Sequence, residues 1–427
     1  MKIYDYKDLS SQKIEELCAR AVEDDNIVSE RVKEIISTVK TSGDKALFEF
    51  AERFDKVRLP SLFIDGKTLK ELALKIEEPV RNAIDIAYQN IYKFHKAQLK
   101  AEEKIETMPG VTCWREARAI EKVGLYIPGG TAVLPSTFLM LGIPAKIAGC
   151  KEIIVCSPPQ SDGKVNTYIA YVAKLLGVEK IYLIGGAQAV AAMAYGTESV
   201  TKVDKIFGPG NRYVTEAKKQ LQPSTAIDMP AGPSEVLVFA DDTAIPSFVA
   251  ADLLAQAEHG TDSQSILVST SRKIIAQTIK EVEKQVGELP RKEIATQAIA
   301  NSYVIYAENS QQAMDFSNIY APEHLILATE NFESLIPLII NAGSVFLGNL
   351  TPESAGDYAS GTNHTLPTSS FAKAFSGVSV DTFLKKITFQ HLTNKGLENI
   401  GHTVEILATA EGLQAHKNAV SIRLKNS

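Results

Sequence analysis

Five short apolar runs constrain this chain most: 153–157 (IIVCS), 181–185 (IYLIG), 236–240 (VLVFA), 265–269 (SILVS) and 303–307 (YVIYA). Each is too short for a helix of its own and rich in β-branched or aromatic residues. Most are separated by helical stretches such as 166–176, 246–259 and 272–286. Strands that are apolar on both faces and alternate with helices belong to parallel sheets covered on both sides. The runs fall on either side of the loop DMPAGPSE (228–235), which predicts two such units, although no short internal repeat relates them. The expected fold class is therefore α/β, two parallel-sheet domains with helical extensions at both ends.

The first hundred residues read as helical. Val28, Val32, Ile35, Ile36 and Val39 share one face of a 3.6-residue period; Gly43 ends that helix, and Asp44 is placed to cap a second one carrying Leu47, Phe50, Ala51 and Phe54. Further helical pattern covers 67–100, and the last forty residues, after LKKITFQ, read as a small helical tail. With 427 residues, 45% of them apolar, two or three domains are expected. A net charge of −6 with no basic run argues against a nucleic-acid or anionic-membrane partner. The N-terminal MKIYDYKDLSSQKIEELC carries acids and lysines where a secretory signal needs apolar residues, and no segment reaches the roughly 18 to 20 apolar residues of a membrane span, so a cytoplasmic location is expected. Cys18, Cys113, Cys150 and Cys156 form no CxxC pair and are read as packed thiols in a reducing compartment.

Two groups of residues carry chemistry. The glycine-rich loops LYIPGGTA (125–132), IGGAQA (184–189) and FGPGN (207–211) fall at strand ends, where backbone N–H groups and helix N-termini meet phosphates; none has the dinucleotide fingerprint or a P-loop, so each alone is more often a plain turn, and the three together shift the balance only modestly toward nucleotide binding. The metal signal is more specific. Gln256 and His259 are spaced i, i+3 on the last turn of an expected helix, Asp357 and His364 share a glycine-rich loop, and Glu411 precedes His416 on a helix. A lone histidine is ordinarily a surface or packed residue, but three with oxygen donors beside them predict an N/O metal site, zinc-like by ligand type. Glu323 and His324, in APEHL, are candidates for a proton-transfer pair. A hydrolase with a zinc-activated water, Glu323 serving as base, is the competing reading from another enzyme class.

The motifs LYIPGGTA, IFGPGNRYV, DMPAGPSEVLV, AQAEHG, APEHL, SGTNHTLPT and EGLQAHKNAVSIR, in this order, make the chain resemble the histidinol dehydrogenase family over nearly its whole length. The stretch SSFAKAFSGVSVDTFLKK after Thr368 follows the family only loosely and holds no named ligand. The resemblance implies two Rossmann-like domains: residues 24–125 with 236–375 as the first, 126–235 as the NAD-binding second, a helical extension over 1–23 with about 376–386, and a tail over 387–427 that docks on a partner subunit. It implies zinc ligands at Gln256, His259, Asp357 and His416, and a proton-transfer pair at Glu323 and His324. Substrate contacts are implied at Ser234, His324, His364, Glu411 and the zinc ligands, and NAD contacts at Tyr126, Gln188 and Asn211. The implied reaction is the oxidation of L-histidinol through L-histidinal to L-histidine, the end of histidine biosynthesis, by a homodimer with one zinc per subunit and shared active sites. A cysteine thiohemiacetal is the rival to an activated water in the second oxidation; Cys113 and Cys150 lie outside every cluster above.

Overall fold

The computed structural model describes residues 1–20, 26–129, 133–230 and 232–426. The last three residues of LYIPGGTA (130–132) and Ala231 of DMPAGPSE lie outside them. The strands among the described residues are, in chain order, β1 Lys2–Asp5, β2 Phe63–Asp65, β3 Ile105–Met108, β4 Val111–Ala119, β5 Lys122–Tyr126, β6 Glu152–Ser157, β7 Lys180–Leu183, β8 Lys205–Phe207, β9 Ala226–Ile227, β10 Glu235–Ala240, β11 Gln264–Ser269, β12 Tyr303–Tyr306, β13 His324–Ala328, β14 Ser344–Leu347 and β15 Leu384–Leu392.

Two six-stranded sheets form the body of the molecule. The N-proximal sheet has the order β2-β7-β6-β5-β8-β9 and is parallel except at β2. The C-proximal sheet, β1-β12-β11-β10-β13-β14, is parallel throughout. Setting aside the edge strands β2 and β1, both follow one winding: three strands step outward, and the fourth returns to the far side of the first. The two Rossmann-like units are thus a structural repeat, although no sequence repeat marks them. Successive residues of β10 explain why its run is apolar throughout: Val236, Val238 and Ala240 enter one core with Leu253, and Leu237 and Phe239 enter the opposite one with Phe316 and Tyr320.

The division of the chain differs from the expected one. The helix Asn26–Phe50, bent at Gly43, and the segment through Ile91 share a core with β5–β8 rather than with the C-proximal sheet. The reason is the apolar stripe Val28, Val32, Ile36 and Val39, which packs on the helices Gly186–Tyr195 and Arg212–Leu221. Asp44 bonds across to Thr197 and Ser199 instead of capping its own helix. The start of the chain is not purely helical, because β1 pairs with β12 as an edge strand before the helix Ser11–Cys18. The tail likewise begins as a strand: β15 pairs antiparallel with β4, where Phe389 stacks on Trp114 at 5.4 Å, and β3 completes a three-stranded sheet. Its strand partner lies some 270 residues earlier in the chain, out of reach of any local pattern.

A short connection, residues 228–234, leaves the carboxyl end of β9 and enters the amino end of β10. It therefore sets the carboxyl edge of the N-proximal sheet against the amino edge of the C-proximal one. The connection is pinned by a buried ion pair. Lys218 Nζ pairs with Asp228 and donates to Gly208 O at 3.0 Å, while Asp228 accepts the Gly208 and Met229 N–H groups, both at 2.8 Å. Gly208 has φ +126°, and a Cβ there would stand 2.1 Å from Tyr126 O, so only glycine fits. Lys218→Ala strands the Asp228 carboxylate in the interior and should cost about 3–5 kcal/mol in urea unfolding. Lys218→Met with Asp228→Asn should recover most of that, since no unpaired charge remains.

Candidate metal and cofactor site

The edge-to-edge arrangement gathers the chemistry-bearing residues. The helix Pro246–Ala257 ends at the amino edge of the C-proximal sheet, delivering Gln256 and, just beyond it, His259. The short helix Glu353–Tyr358 presents Glu353 and Asp357 one turn apart on one face. Ligand atoms of His259, Glu353 and Asp357 lie within 4.8 Å of one another. Gln256 is 1% exposed, and neither atom of its amide has a hydrogen-bond partner. Two orphaned amide atoms one helical turn from a His/Glu/Asp cluster suit a hard or borderline divalent cation, so the residues present fit a metal. Burial lowers the His259 pKa and leaves its imidazole neutral, while burial would raise Asp357 but the nearby His324 imidazole holds it below the ordinary carboxylate value. Both are in the protonation state that ligation requires.

Glu323 and His324 enter the same site at the first residue of β13. His324 Nδ1 is 3.1 Å from Glu235 O, so this nitrogen carries the proton; Nε2 has no close partner and stands 3.5 Å from Asp357 Oδ1. Burial alone would lower the imidazole pKa, but Glu353 and Glu323, each 3.8 Å away, together with Asp357, push it up to about 10. Burial pushes Glu323 up to about 8, although its Oε2 accepts the Glu235 N–H at 2.9 Å.

His364 lies beside this cluster with both ring nitrogens engaged, Nδ1 on Asp357 O and Nε2 on Thr137 Oγ1, each at 3.0 Å. Thr137 belongs to the helix Pro135–Ala148, which leads away from β5, so this contact bridges the two sheets. Ser234 is half-buried at the end of the connection, its carbonyl accepting the Gln264 N–H. Glu411 and His416 are not brought to the cluster. They are exposed on the hairpin of helices Asn394–Ala410 and Gln414–Asn426, which packs on the β15/β3 sheet. Glu353 is a residue that the sequence reading missed, although the E-x-x-x-D spacing with Asp357 in PESAGD was a usable sign of one carboxylate face.

At the carboxyl edge of the N-proximal sheet, Tyr126 ends β5 and its Oη accepts the Gly186 N–H at 3.1 Å. Gln188 is buried in the first turn of the helix Gly186–Tyr195, and Asn211 caps the helix Arg212–Leu221 through the Tyr213 and Val214 N–H groups. Between the β5 and β6 loops lies a cavity of about 300 Å³ lined by Pro128, Gly129, Pro158, Gln160 and Ile169. A Cβ on Gly129 or Gly185 would collide with the Pro158 ring, at 2.5 and 2.8 Å, so side chains there would fill the cradle. Bare backbone beside helix N-termini fits a dinucleotide.

The family model "Histidinol dehydrogenase" matches residues 18–424. The chain is 53% identical to a histidinol dehydrogenase of Bacteroides thetaiotaomicron over 99% of both chains, and 52% identical to one of Arabidopsis thaliana over all of this chain and 92% of that one. A crystal structure of histidinol dehydrogenase from Elizabethkingia anophelis superposes with a TM-score of 0.96 at 52% identity, covering 100% of this chain and 98% of that one. The chain belongs to the histidinol dehydrogenase family.

Membership makes the chain an oxidoreductase and sets the hydrolase alternative aside. NAD is the cofactor that histidinol dehydrogenases imply, and the glycine-lined edge is where this chain has room for it. The thiols stand apart from this chemistry: burial pushes Cys18 and Cys150 up to about 11 and Cys156 higher still, which keeps all three protonated and unreactive.

Asp55 lies close enough to Tyr126 to act on its phenol, and burial pushes its carboxyl up to about 6. Because this lies above the unfolded value of about 3.9, the native state holds the extra proton and stability falls as pH rises from about 4 through 6. Asp55→Asn should therefore raise Tm at pH 8 and leave it unchanged near pH 3.5, measured by calorimetry at both.

Proposed function

We propose that this chain oxidises L-histidinol to L-histidinal and then to L-histidine at one site, with two NAD reduced in succession. The observation that carries the reading is the convergence on one edge of a cation-ready group, Gln256, His259 and Asp357, and a Glu323–His324 pair with one free imidazole nitrogen. One zinc per subunit would be held by Gln256, His259 and Asp357, with His416 of the partner subunit as fourth ligand. When bound it supplies Lewis acidity that anchors the substrate's amino and imidazole nitrogens. NAD, when bound against Tyr126, Gln188 and Asn211, accepts the electrons of each oxidation.

The chain's own residues do the rest. His324 is fixed at Nδ1 by the Glu235 carbonyl, so Nε2 is the atom that takes the hydroxyl proton of the alcohol. Glu353, Glu323 and Asp357 favour the protonated form of that imidazole, and a divalent charge held by the neighbouring residues would weaken their pull on it. Glu323, already above the ordinary carboxylate value, has the basicity to take a proton from the water that adds to the aldehyde carbon. Ser234, His364 and Glu411 would complete the substrate contacts. His364 reaches them only by releasing Thr137, which ties substrate entry to the contact between the sheets.

Glu323→Gln keeps size and removes the base. Oxidation of histidinal should slow by about 100-fold or more while oxidation of histidinol slows far less, each assayed separately through NADH absorbance. Equal slowing of both would assign Glu323 to binding instead.

Supply of Glu411 and His416 from a second copy explains why both stand exposed and away from the cluster. The same hairpin leaves Ile406, Leu407, Leu413 and Ile422 uncovered, each 43% exposed or more, as a surface that buries itself against a partner requires. A dimer of one Glu323→Ala chain and one His416→Ala chain then contains one intact site. Coexpression should restore up to about half of wild-type activity, where each variant alone is dead; purified mixed dimers without activity would show that each tail serves its own chain.

A further inference from the structure

Arg20, which follows the helix Ser11–Cys18, is buried at the back of the site, and no part of the chemistry above uses it. Its guanidinium grips Glu235 with two parallel bonds, Nε to Oε1 and Nη2 to Oε2, both 2.8 Å, with the two side chains 6% and 1% exposed. The remaining donors reach Cys18 O at 2.6 Å, Ser370 Oγ at 3.0 Å and Tyr320 O at 3.0 Å, and the plane lies 3.6 Å from the Tyr320 ring centroid. Glu235 Oε1 also accepts the Ser369 N–H at 2.7 Å. The backbone of the same Glu235 holds both proton-transfer residues, its N–H on Glu323 Oε2 and its carbonyl on His324 Nδ1. Tyr320 precedes Glu323 by three residues across Ala321, a non-glycine residue held at φ +52°.

We infer that Arg20 is a positioning residue: it clamps the first residue of β10, the strained 320–323 turn and the 369–370 loop into one unit, and so fixes the carboxylate of Glu323 and the ring of His324 for proton transfer. The inference rests on the catalytic reading of that pair. Three segments distant from Arg20 in the chain meet at one guanidinium, and one of them, at Glu235, carries both backbone atoms that orient the pair. Strand pairing alone places the backbone at Val236↔His324 but leaves the turn before it free to relax out of the left-handed region. A planar fork with five fixed donors satisfies all these partners at once, which an ammonium does not.

The test uses the full-length enzyme with Arg20→Met, Arg20→Lys and, in parallel, Glu323→Gln. Metal content, melting temperature, and kcat and KM for histidinol and for histidinal are measured separately. Arg20→Met should keep its metal and hold both KM values within about threefold, while kcat falls for both substrates, by about 10- to 100-fold for histidinal, the loss expected when a proton-transfer group is displaced by about an ångström. Arg20→Lys, with charge but no fork, should recover part of that kcat; if Arg20→Met does not fold, the lysine variant carries the test with an expected loss of about threefold. An Arg20→Met enzyme, folded at the assay temperature, with kcat within about twofold of wild type beside an impaired Glu323→Gln overturns the clamp alone, as does a loss confined to KM or metal content. Undiminished histidinal oxidation by Glu323→Gln overturns the role of Glu323, and the purpose of the clamp with it.

Discussion

The site exists because a seven-residue connection joins the end of β9 to the start of β10. Such a segment spans at most about 25 Å, so two doubly wound sheets are forced to meet carboxyl edge to amino edge. In an isolated unit of this winding, ligands sit at the carboxyl edge, where helix N-termini and glycine-rich turns converge. The N-proximal sheet keeps that arrangement and its glycine-lined cavity. In the C-proximal sheet the acidic and imidazole groups sit at the opposite, amino edge, because that is the edge facing the cavity. The buried Lys218–Asp228 pair and the close approach of Gly208 to Tyr126 lock the connection, so fold stability and the distance between the two halves depend on the same few atoms.

Electrostatics in the cleft are those of a site built around an added positive charge. Glu323, Glu353 and Asp357 surround one buried imidazole, and Gln256 contributes a buried amide with no partner among the described residues. Without compensation, such burial costs several kcal/mol per group. A divalent cation bound there would offset it. His416 and Glu411 are exposed and away from the cluster, so of the four proposed ligands packing within the chain brings Gln256, His259 and Asp357 near one another and leaves His416 apart.

Much of this was legible from residues. The strand runs were visible because parallel strands covered on both faces are apolar throughout, and β6, β7, β10, β11 and β12 all lie where the runs are. Gln256 and His259 were readable as a pair because they are local to one helical turn. Glu353 escaped since a carboxylate in a helix is ordinarily solvent-facing; its spacing to Asp357 was the one local sign, and its burial beside His324 is what distinguishes it. The β3-β4-β15 sheet, the edge strand β1 and the packing of 28–91 on the N-proximal sheet escaped for a different reason: each is a pairing between distant segments, which local periodicity does not encode.

The sequence by itself determined the fold class, the glycine loops, the local pairs Gln256/His259 and Glu323/His324, and, through motif order, the resemblance that family membership bears out. Tertiary structure decided that the two sheets oppose unlike edges, that Glu353 lies beside His259 and Asp357, that Arg20 from the start of the chain stands behind Glu323, and that His416 does not reach its own chain's cluster. The physical reason is range. Helical and strand periodicity report which face of a segment is buried, over a few residues, whereas a site assembled from five separate segments depends on chain connectivity and on the packing of cores that form only when the whole chain has folded.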